Sequence, residues 1–399
     1  MSLLTAGKDK QYVLGLLSGL VSHGIPVEFI GNDEMQHAAI VKNRNVRYLN
    51  LRGDQTGAAS LRAKALRVLK YYCRLVSYAW QTESALFHIQ WLNKFIHFDR
   101  TLLNVYYKAL GKKLIYTAHN VNMGERDGKD TFFNRITLKC LYEIVDHVIV
   151  HTEKMKAELI EGFKIGPEKV SVIPFGINNT VPNTPMTPTE ARRRLSLNAA
   201  EKVLLFFGNI APYKGLEYAI EALGELEPNY PDLKLIIAGR VKECPEYWQR
   251  LEKLMKERNL DDRIMKHIHF IPDEDIEIYF KAADVLVLPY RFIYQSGPLF
   301  LSYFFGLPVI ASDVGSFRED VIEGKTGFIC RPEDGRDLAD AVHRYFRSGL
   351  YHQLEKRRES IKTYAEEKYS WEKIAEKTIN LYRNVARMPN NPFFAKCSQ

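Results

Sequence analysis

The chain lacks any apolar run near the ~20 residues that a membrane-spanning helix needs, and its first residues do not follow the basic-then-apolar pattern of an export signal. Cysteine is scarce as well. There are five, at 73, 140, 244, 330 and 397, odd in number and without CxxC spacing. This excludes a disulfide framework and a structural zinc site, and it fits a reducing compartment. The expected location is therefore cytoplasmic, or peripheral on the inner face of the membrane. No short-period repeat is present. Acidic residues fall short in one half only: residues 1–180 carry 24 Lys+Arg against 16 Asp+Glu, whereas the remainder balances at 32 against 32. A basic first half suggests an anionic partner: a membrane face, an acidic acceptor or nucleic acid. No RRM, KH or helix-turn-helix signature supports nucleic acid, and the neutral second half counts against it.

What is present is a globular composition, 46% hydrophobic and 26% charged, over 399 residues. That length exceeds the size at which one hydrophobic core stops growing, so two domains are expected. Short apolar runs punctuated by Gly and Pro predict strands at 3–5, 27–30, 46–51, 86–89, 113–117, 147–150 and 170–174. Helical patterns fall between them, at 11–22, about 60–80, 100–110, 131–144 and 152–162. The stretch NNTVPNTPMTP (178–188) holds three prolines and no periodicity, and reads as a linker. A second alternation follows, with strands at 203–207, 233–238, 268–271, 285–288, 309–311 and 327–330, and helices at 334–349, 351–366 and 371–387. The predicted fold is α/β: two doubly wound, Rossmann-like parallel-sheet domains facing a central cleft. Their boundaries are 1–180 and 181–370, and residues 371–399 are expected to cross back to the first domain.

Two stretches place polar groups at strand ends. Residues 283–320 read as strand, loop, helix and strand, with Ser296 and Gly297 where helix-start amides can hold an anion. An ordinary βαβ core unit reads equally well. The segment FFGNIAPYKG (206–215) follows a strand and opens a helix. It suits either a phosphate held by amides and the Lys214 ammonium, or a tight turn with a surface lysine.

Taken in order, GNIAPYKG, IIAG (236–239), HFIPDEDIEIYFKAADVLVLPY and FGLPVIASDVGSFREDV resemble the C-terminal domain of glycosyltransferase family 4. YTAHN (116–120), VDHVIVHTE (145–153) and VIPFGI (172–177) resemble segments of its first domain. The resemblance covers nearly the whole chain. It implies a retaining GT-B hexosyltransferase that takes a sugar from a UDP- or GDP-sugar, with no cofactor and no metal, and passes it to a lipid-linked or polysaccharide precursor. Lys214 falls on the family lysine that contacts the diphosphate, and His119 on the histidine that faces the donor sugar near the leaving phosphate. Gly208, Asn209, Gly239, Arg240, Ile271, Gln295, Ser296, Gly297, Pro298 and Leu299 complete the implied donor site. Asn209 stands where the family usually has arginine. Two family glutamates fall on Ile293 and Leu301, which cannot accept a hydrogen bond through their side chains, so Gln295 or Ser302 is a candidate substitute. The implied acceptor site takes in Gly7, Lys8, His88, Trp91 and Asn120. Rival readings are a GT-B nucleotide-sugar epimerase, whose usual carboxylates are not evident, and a non-enzymatic basic binding protein.

Asp273, Glu274 and Asp275 match a metal-binding DxD superficially, but they precede a helical pattern and are expected to cap that helix. The helix at 60–80 combines Arg62, Lys64, Arg67, Lys70 and Arg74 with Leu66, Leu69, Tyr72, Val76 and Trp80. It suits an anionic membrane surface, met through Arg67, Lys70 and Arg74, and equally a solvated basic face over a core.

Overall fold

The alternation of strand and helix becomes two separate, all-parallel sheets in this computed structural model, which describes residues 1–6, 9–36, 43–53, 60–122, 124, 130–177, 179, 181–242 and 244–387. The first sheet has seven strands: β1 (Ser2–Leu4), β2 (Val27–Gly31), β3 (Val46–Asn50), β4 (Leu86–Ile89), β5 (Lys113–Thr117), β6 (His147–Val150) and β7 (Val170–Val172). Their spatial order is 3-2-1-4-5-6-7. The second sheet has six: β8 (Lys202–Phe207), β9 (Leu233–Ala238), β10 (Ile264–His267), β11 (Val285–Leu288), β12 (Val309–Ser312) and β13 (Gly327–Cys330). Their order is 10-9-8-11-12-13. β5, β6, β11 and β12 are buried at every residue, as continuous apolar runs covered on both faces require.

By internal contacts the chain forms two compact units, Ile177–Ser370 and, in the other, Met1–Gly176 with the last helix. The helices needed below are α1 (Lys10–Ser22), α2 (Leu61–Gln81), α3 (Phe132–Ile144), α4 (Leu216–Leu226), α5 (Ile276–Ala282), α6 (Gly297–Phe304) and α7 (Trp371–Arg387). α7 meets α1 at backbone distance. A Cβ on Gly15 would fall 2.0 Å from Trp371 Cε2, and one on Gly19 2.4 Å from the Trp371 carbonyl oxygen. The proline-bearing segment after the first unit is tied to α5: the Thr184 amide and hydroxyl both donate to the Glu277 carboxylate, at 2.8 and 2.9 Å.

One strand is misplaced by the sequence pattern. The strand expected at 268–271 lies at Ile264–His267 and pairs with β9 alone. An edge strand needs few apolar residues, so its signal is weak. The IHFI run (268–271) that imitates a strand is loop, with Phe270 exposed and Ile271 buried. Asp273–Asp275 forms a short 3-10 turn before α5, and Asp275 makes no side-chain cap bond. The expected capping is thus reduced to the favourable placing of negative charge at a helix start.

Candidate active site

Each unit presents candidate side chains at the carboxyl ends of its strands, where an open α/β sheet binds its ligands near the point at which the strand order reverses. In the second unit that point lies between β8 and β11. β8 ends at Phe207, Gly208 follows it, and a short turn, Pro212–Lys214, leads through Gly215 into α4. Gly215 has φ +60° and would place a Cβ 2.1 Å from the Pro289 carbonyl oxygen, so the turn closes against the loop after β11 only with glycine there. Lys214 is folded back over the strand end. Its ammonium would be 3.0 Å from a Cβ at Gly208 and stands 5.3 Å from the Tyr290 ring centre and 6.0 Å from that of Phe206. The side chain is only 6% exposed and forms no ion pair with any described residue. Burial pulls its pKa below the usual lysine value.

A buried, unpaired ammonium is costly unless an anion completes it. The surrounding groups suit an anion. Gln295 buries both amide atoms without a partner among the described residues. Of the first α6 residues, Pro298 has no N–H and Leu299 gives its own to the Ser296 carbonyl at 3.1 Å, which leaves the Gly297 amide for a ligand. Pro298 and Leu299 therefore shape the loop and cannot donate to a phosphate. Arg240 donates to Asn209 Oδ1 at 3.4 Å, so an exposed guanidinium stands beside the position where the family arginine is missing. Gly239 packs directly on Gly208, whose carbonyl oxygen would lie 2.0 Å from a Cβ. Ile271 is buried in the loop after β10, and Leu301 is buried in α6.

In the first unit the reversal lies between β1 and β4. His119 follows β5, with Trp91 stacked on its ring (centres 4.6 Å apart, planes at 8°) and Tyr12 of α1 against it edge-on. His119 belongs to a chain of hydrogen bonds that runs from Tyr382 of α7 to the backbone beyond β7. Tyr382 Oη lies 2.5 Å from His88 Nδ1, and His88 Nε2 lies 2.7 Å from Thr117 Oγ1 and 2.9 Å from the Gln90 amide. The Gln90 amide reaches His119 Nε2 at 3.1 Å, His119 Nδ1 reaches His151 Nε2 at 3.0 Å, and His151 Nδ1 meets the Ile173 carbonyl oxygen at 2.9 Å.

Burial holds all three rings neutral: His88 is pulled down to about 3, His151 to about 4, and His119 well below the usual value, helped by its two histidine neighbours. Neutral rings then fix every proton. The Ile173 oxygen only accepts, so His151 carries its proton on Nδ1 and accepts at Nε2. His119 must donate from Nδ1 and accept at Nε2. Gln90 is placed with Oε1 on His119 and Nε2 on His88; three neutral rings require the amide in the opposite sense, its NH2 toward His119 and its oxygen toward His88. Both His88 nitrogens are engaged inside the unit and the residue is 1% exposed, so it positions Gln90 and offers no group to an acceptor. Asn120 is half-buried, while Gly7 and Lys8 lie outside the described residues.

Sequence reasoning misses a second feature of this unit. Thr5, Trp91, Asn93, Asn104 and Tyr107 line a pocket at the carboxyl ends of β1 and β4. Asn104 Nδ2 and the Tyr107 hydroxyl are buried there without a partner among the described residues. Nothing in an amphipathic run marks Asn104 and Tyr107; the only sign is a polar atom three residues from a tyrosine.

Two family models account for most of the sequence: Glycosyltransferase Family 4 over residues 10–181 and Glycosyl transferases group 1 over residues 187–368. The chain belongs to the group 1 glycosyltransferases. Among curated relatives of this group 1 chain is the D-inositol 3-phosphate glycosyltransferase of Corynebacterium urealyticum, 27% identical over 278 residues, which are 68% of this chain and 64% of the relative. The protein of the same name from Acidothermus cellulolyticus is 24% identical over 335 residues, 82% of this chain and 70% of that one. The matched region thus spans under two thirds of the Corynebacterium relative. Sucrose-phosphate synthase from Thermosynechococcus elongatus shares the fold with a TM-score of 0.74 at 21% identity, covering 96% of this chain and 98% of that one. Anabaena Alr3699/HepE, solved with UDP and glucose, does so with a TM-score of 0.73 at 18% identity and the same coverage. The group 1 chain therefore has the GT-B fold, two Rossmann-like parallel-sheet domains.

Proposed function

We propose that this protein is a retaining hexosyltransferase that takes its sugar from a uridine diphosphate donor. The observation that carries the reading is Lys214, a buried ammonium without an anion among the described residues, set at a strand end beside Gly208, a glycine that Pro298 at the start of α6 also approaches. A sugar-linked diphosphate fits that requirement, because its charge grows as the glycosidic bond breaks and a preorganised cation then stabilises it most. The structural relatives solved with UDP and with UDP-glucose support uridine over guanosine.

In this reading the acceptor hydroxyl attacks the anomeric carbon from the face that the diphosphate leaves. The new C–O bond forms as the C–O bond to phosphate breaks, and the hydroxyl proton passes to a departing phosphate oxygen. Lys214, Arg240 and the Gly297 amide take the role of a divalent cation, so no metal is needed. The acceptor binds the first unit at the carboxyl ends of its strands, near Trp91 and Asn120; the small buried pocket of Asn104 and Tyr107, about 20 Å³, is too small to admit it. Both ring nitrogens of His119 are engaged by Gln90 and His151, so in this reading it holds the geometry of its strand end and offers the sugar no free nitrogen. A lipid-linked or polysaccharide precursor as acceptor would place the enzyme at the inner face of a membrane, which the cations Arg67, Lys70 and Arg74 of α2 favour.

The test is calorimetric titration with UDP-, GDP- and ADP-glucose, followed by proton NMR of any product. Binding of UDP-glucose and an α-linked product from the α-linked donor are expected. Failure of every nucleotide-sugar to bind at millimolar concentration would sink the proposal.

A further inference from the structure

α2 is apolar on two opposite sides. Its inner side buries Tyr71, Tyr72, Leu75 and Ala79 against the first sheet. Tyr72, which the sequence pattern groups with the outer residues, points inward, where its hydroxyl donates to Asp99 (2.8 Å) and its ring stacks on Phe95 (5.3 Å). The outer side carries Leu66, Leu69, Val76 and Trp80, the last 73% exposed. At 3.6 residues per turn their spacing puts them on one line along the helix. Arg62, Lys70 and Arg74 are exposed on the same helix, and α2 contains no acidic residue.

The outer stripe continues onto two neighbours. The helical stretch 96–109 is fastened to α2 by the Tyr106 hydroxyl, which donates to the Val76 carbonyl at 3.0 Å. Its three charged residues, Asp99, Arg100 and Lys108, are all buried, while Phe98, Leu102 and Val105 are exposed. On the far side, Arg100 donates to Asn134 Oδ1 at 2.8 Å and the His97 ring lies 4.5 Å from that of Phe133, which brings in the start of α3. There Phe132 (81% exposed), Phe133 and Ile136 face solvent.

We infer that this outer surface of the first unit is a membrane-docking face, which sets its apolar side chains among the headgroups of an anionic bilayer. It deepens the reading of a lipid-linked acceptor by assigning the residues that meet the lipid. Single exposed apolar residues need no explanation, but a contiguous set across three elements marks a surface that is covered in use. The charge selects the cover: cations without acids on α2 complement anionic lipid, and Trp80, Phe132 and Phe133 are side chains suited to the interface.

The experiment is co-sedimentation of the full chain with vesicles of phosphatidylcholine alone and with about 30% phosphatidylglycerol, at low and at high salt. Binding to the anionic vesicles is expected, with part of it surviving about 0.5 M salt through the apolar contacts. The exposed pair Leu69→Ser, Trp80→Ser should weaken it at least about tenfold. The triple variant Arg62→Gln, Lys70→Gln, Arg74→Gln should weaken it about a hundredfold, as three interfacial cations imply. Trp80→Phe should remove most of the vesicle-induced blue shift in tryptophan fluorescence. Absence of binding to anionic vesicles at low salt overturns the proposal. So does binding that salt abolishes and the Ser pair leaves unchanged, or a dimer in solution that the Ser pair dissolves. A UDP-glucose thermal shift on the same samples reads donor binding separately, so loss of one reading leaves the other standing.

Discussion

The two units bury polar groups in opposite ways. The first links three of its four buried histidines, His88, His119 and His151, keeps them neutral, and gives each of their ring nitrogens a partner along a chain from Tyr382 to Ile173. The second buries one charged lysine and gives it no counter-ion among the described residues. A completed neutral network stabilises its own unit and fixes geometry. An incomplete charged site costs stability until a ligand arrives, and that difference is what singles out Lys214 as the proposed anion site.

The sharpest way to break this contrast is Lys214→Met. Donor binding or turnover should fall about a hundred- to a thousandfold, as for other groups that stabilise developing charge. The ligand-free variant should nevertheless melt no lower than wild type, because an unpaired buried cation has been removed. Melting curves with and without UDP read both effects. An unchanged nucleotide-induced shift in the variant would show that the ammonium does not meet the phosphates.

Leu301→Glu comes next. It places a carboxylate where the family has one, but here the site is buried in an apolar helix. A loss of roughly 2–4 kcal/mol in denaturant unfolding is expected, without tighter donor binding. A variant as stable as wild type that binds UDP-glucose more tightly would return the ribose contact to this position.

The first unit should be the acid-sensitive one. Its histidines have folded values well below the ~6.5 of an unfolded chain, so on acidification the unfolded state takes up protons first. Their stabilisation is fully present above about pH 6.5 and declines as pH falls toward the folded values, by up to about 1.4 kcal/mol per pH unit for each ring. His88→Asn should therefore show a shallower fall in melting temperature between about pH 6.5 and pH 4. Parallel curves for variant and wild type would contradict the neutral chain. Lys214 acts in the same direction but in a more alkaline window: its lowered value costs stability at neutral pH, and that cost fades as pH rises toward the usual lysine value.

The smallest expected effect is none at all. EDTA should leave UDP-glucose binding unchanged, since Lys214, Arg240 and the Gly297 amide carry the role of a cation. Loss on chelation with recovery by manganese would point instead to Asp273 and Asp275.

Much of the fold is legible in the order of the residues alone. Gly and Pro punctuation between β-branched runs locates β4, β5, β6, β9, β11 and β13 to the residue, because strands buried on both faces leave an unbroken apolar signal. The edge strand β10 escapes that pattern because its pairing demands little of its side chains. Lys214 and Gly297 can be read because a strand end followed by glycine and a helix start is a local pattern. The histidine chain cannot. Its members stand at 88, 119 and 151, with Gln90 and Tyr382, and only the strand order 1-4-5-6 and the return of α7 bring them together.

Local sequence therefore determined which segments are strands and helices, where they stop, and which strand ends can present amides and an ammonium. Those properties depend on residues a few positions apart. Tertiary structure alone decided which polar groups find partners. Lys214 meets no counter-ion among the described residues, the Gln90 amide turns toward His119, and the outer stripe of α2 stays exposed. Each outcome depends on what distant segments place against it.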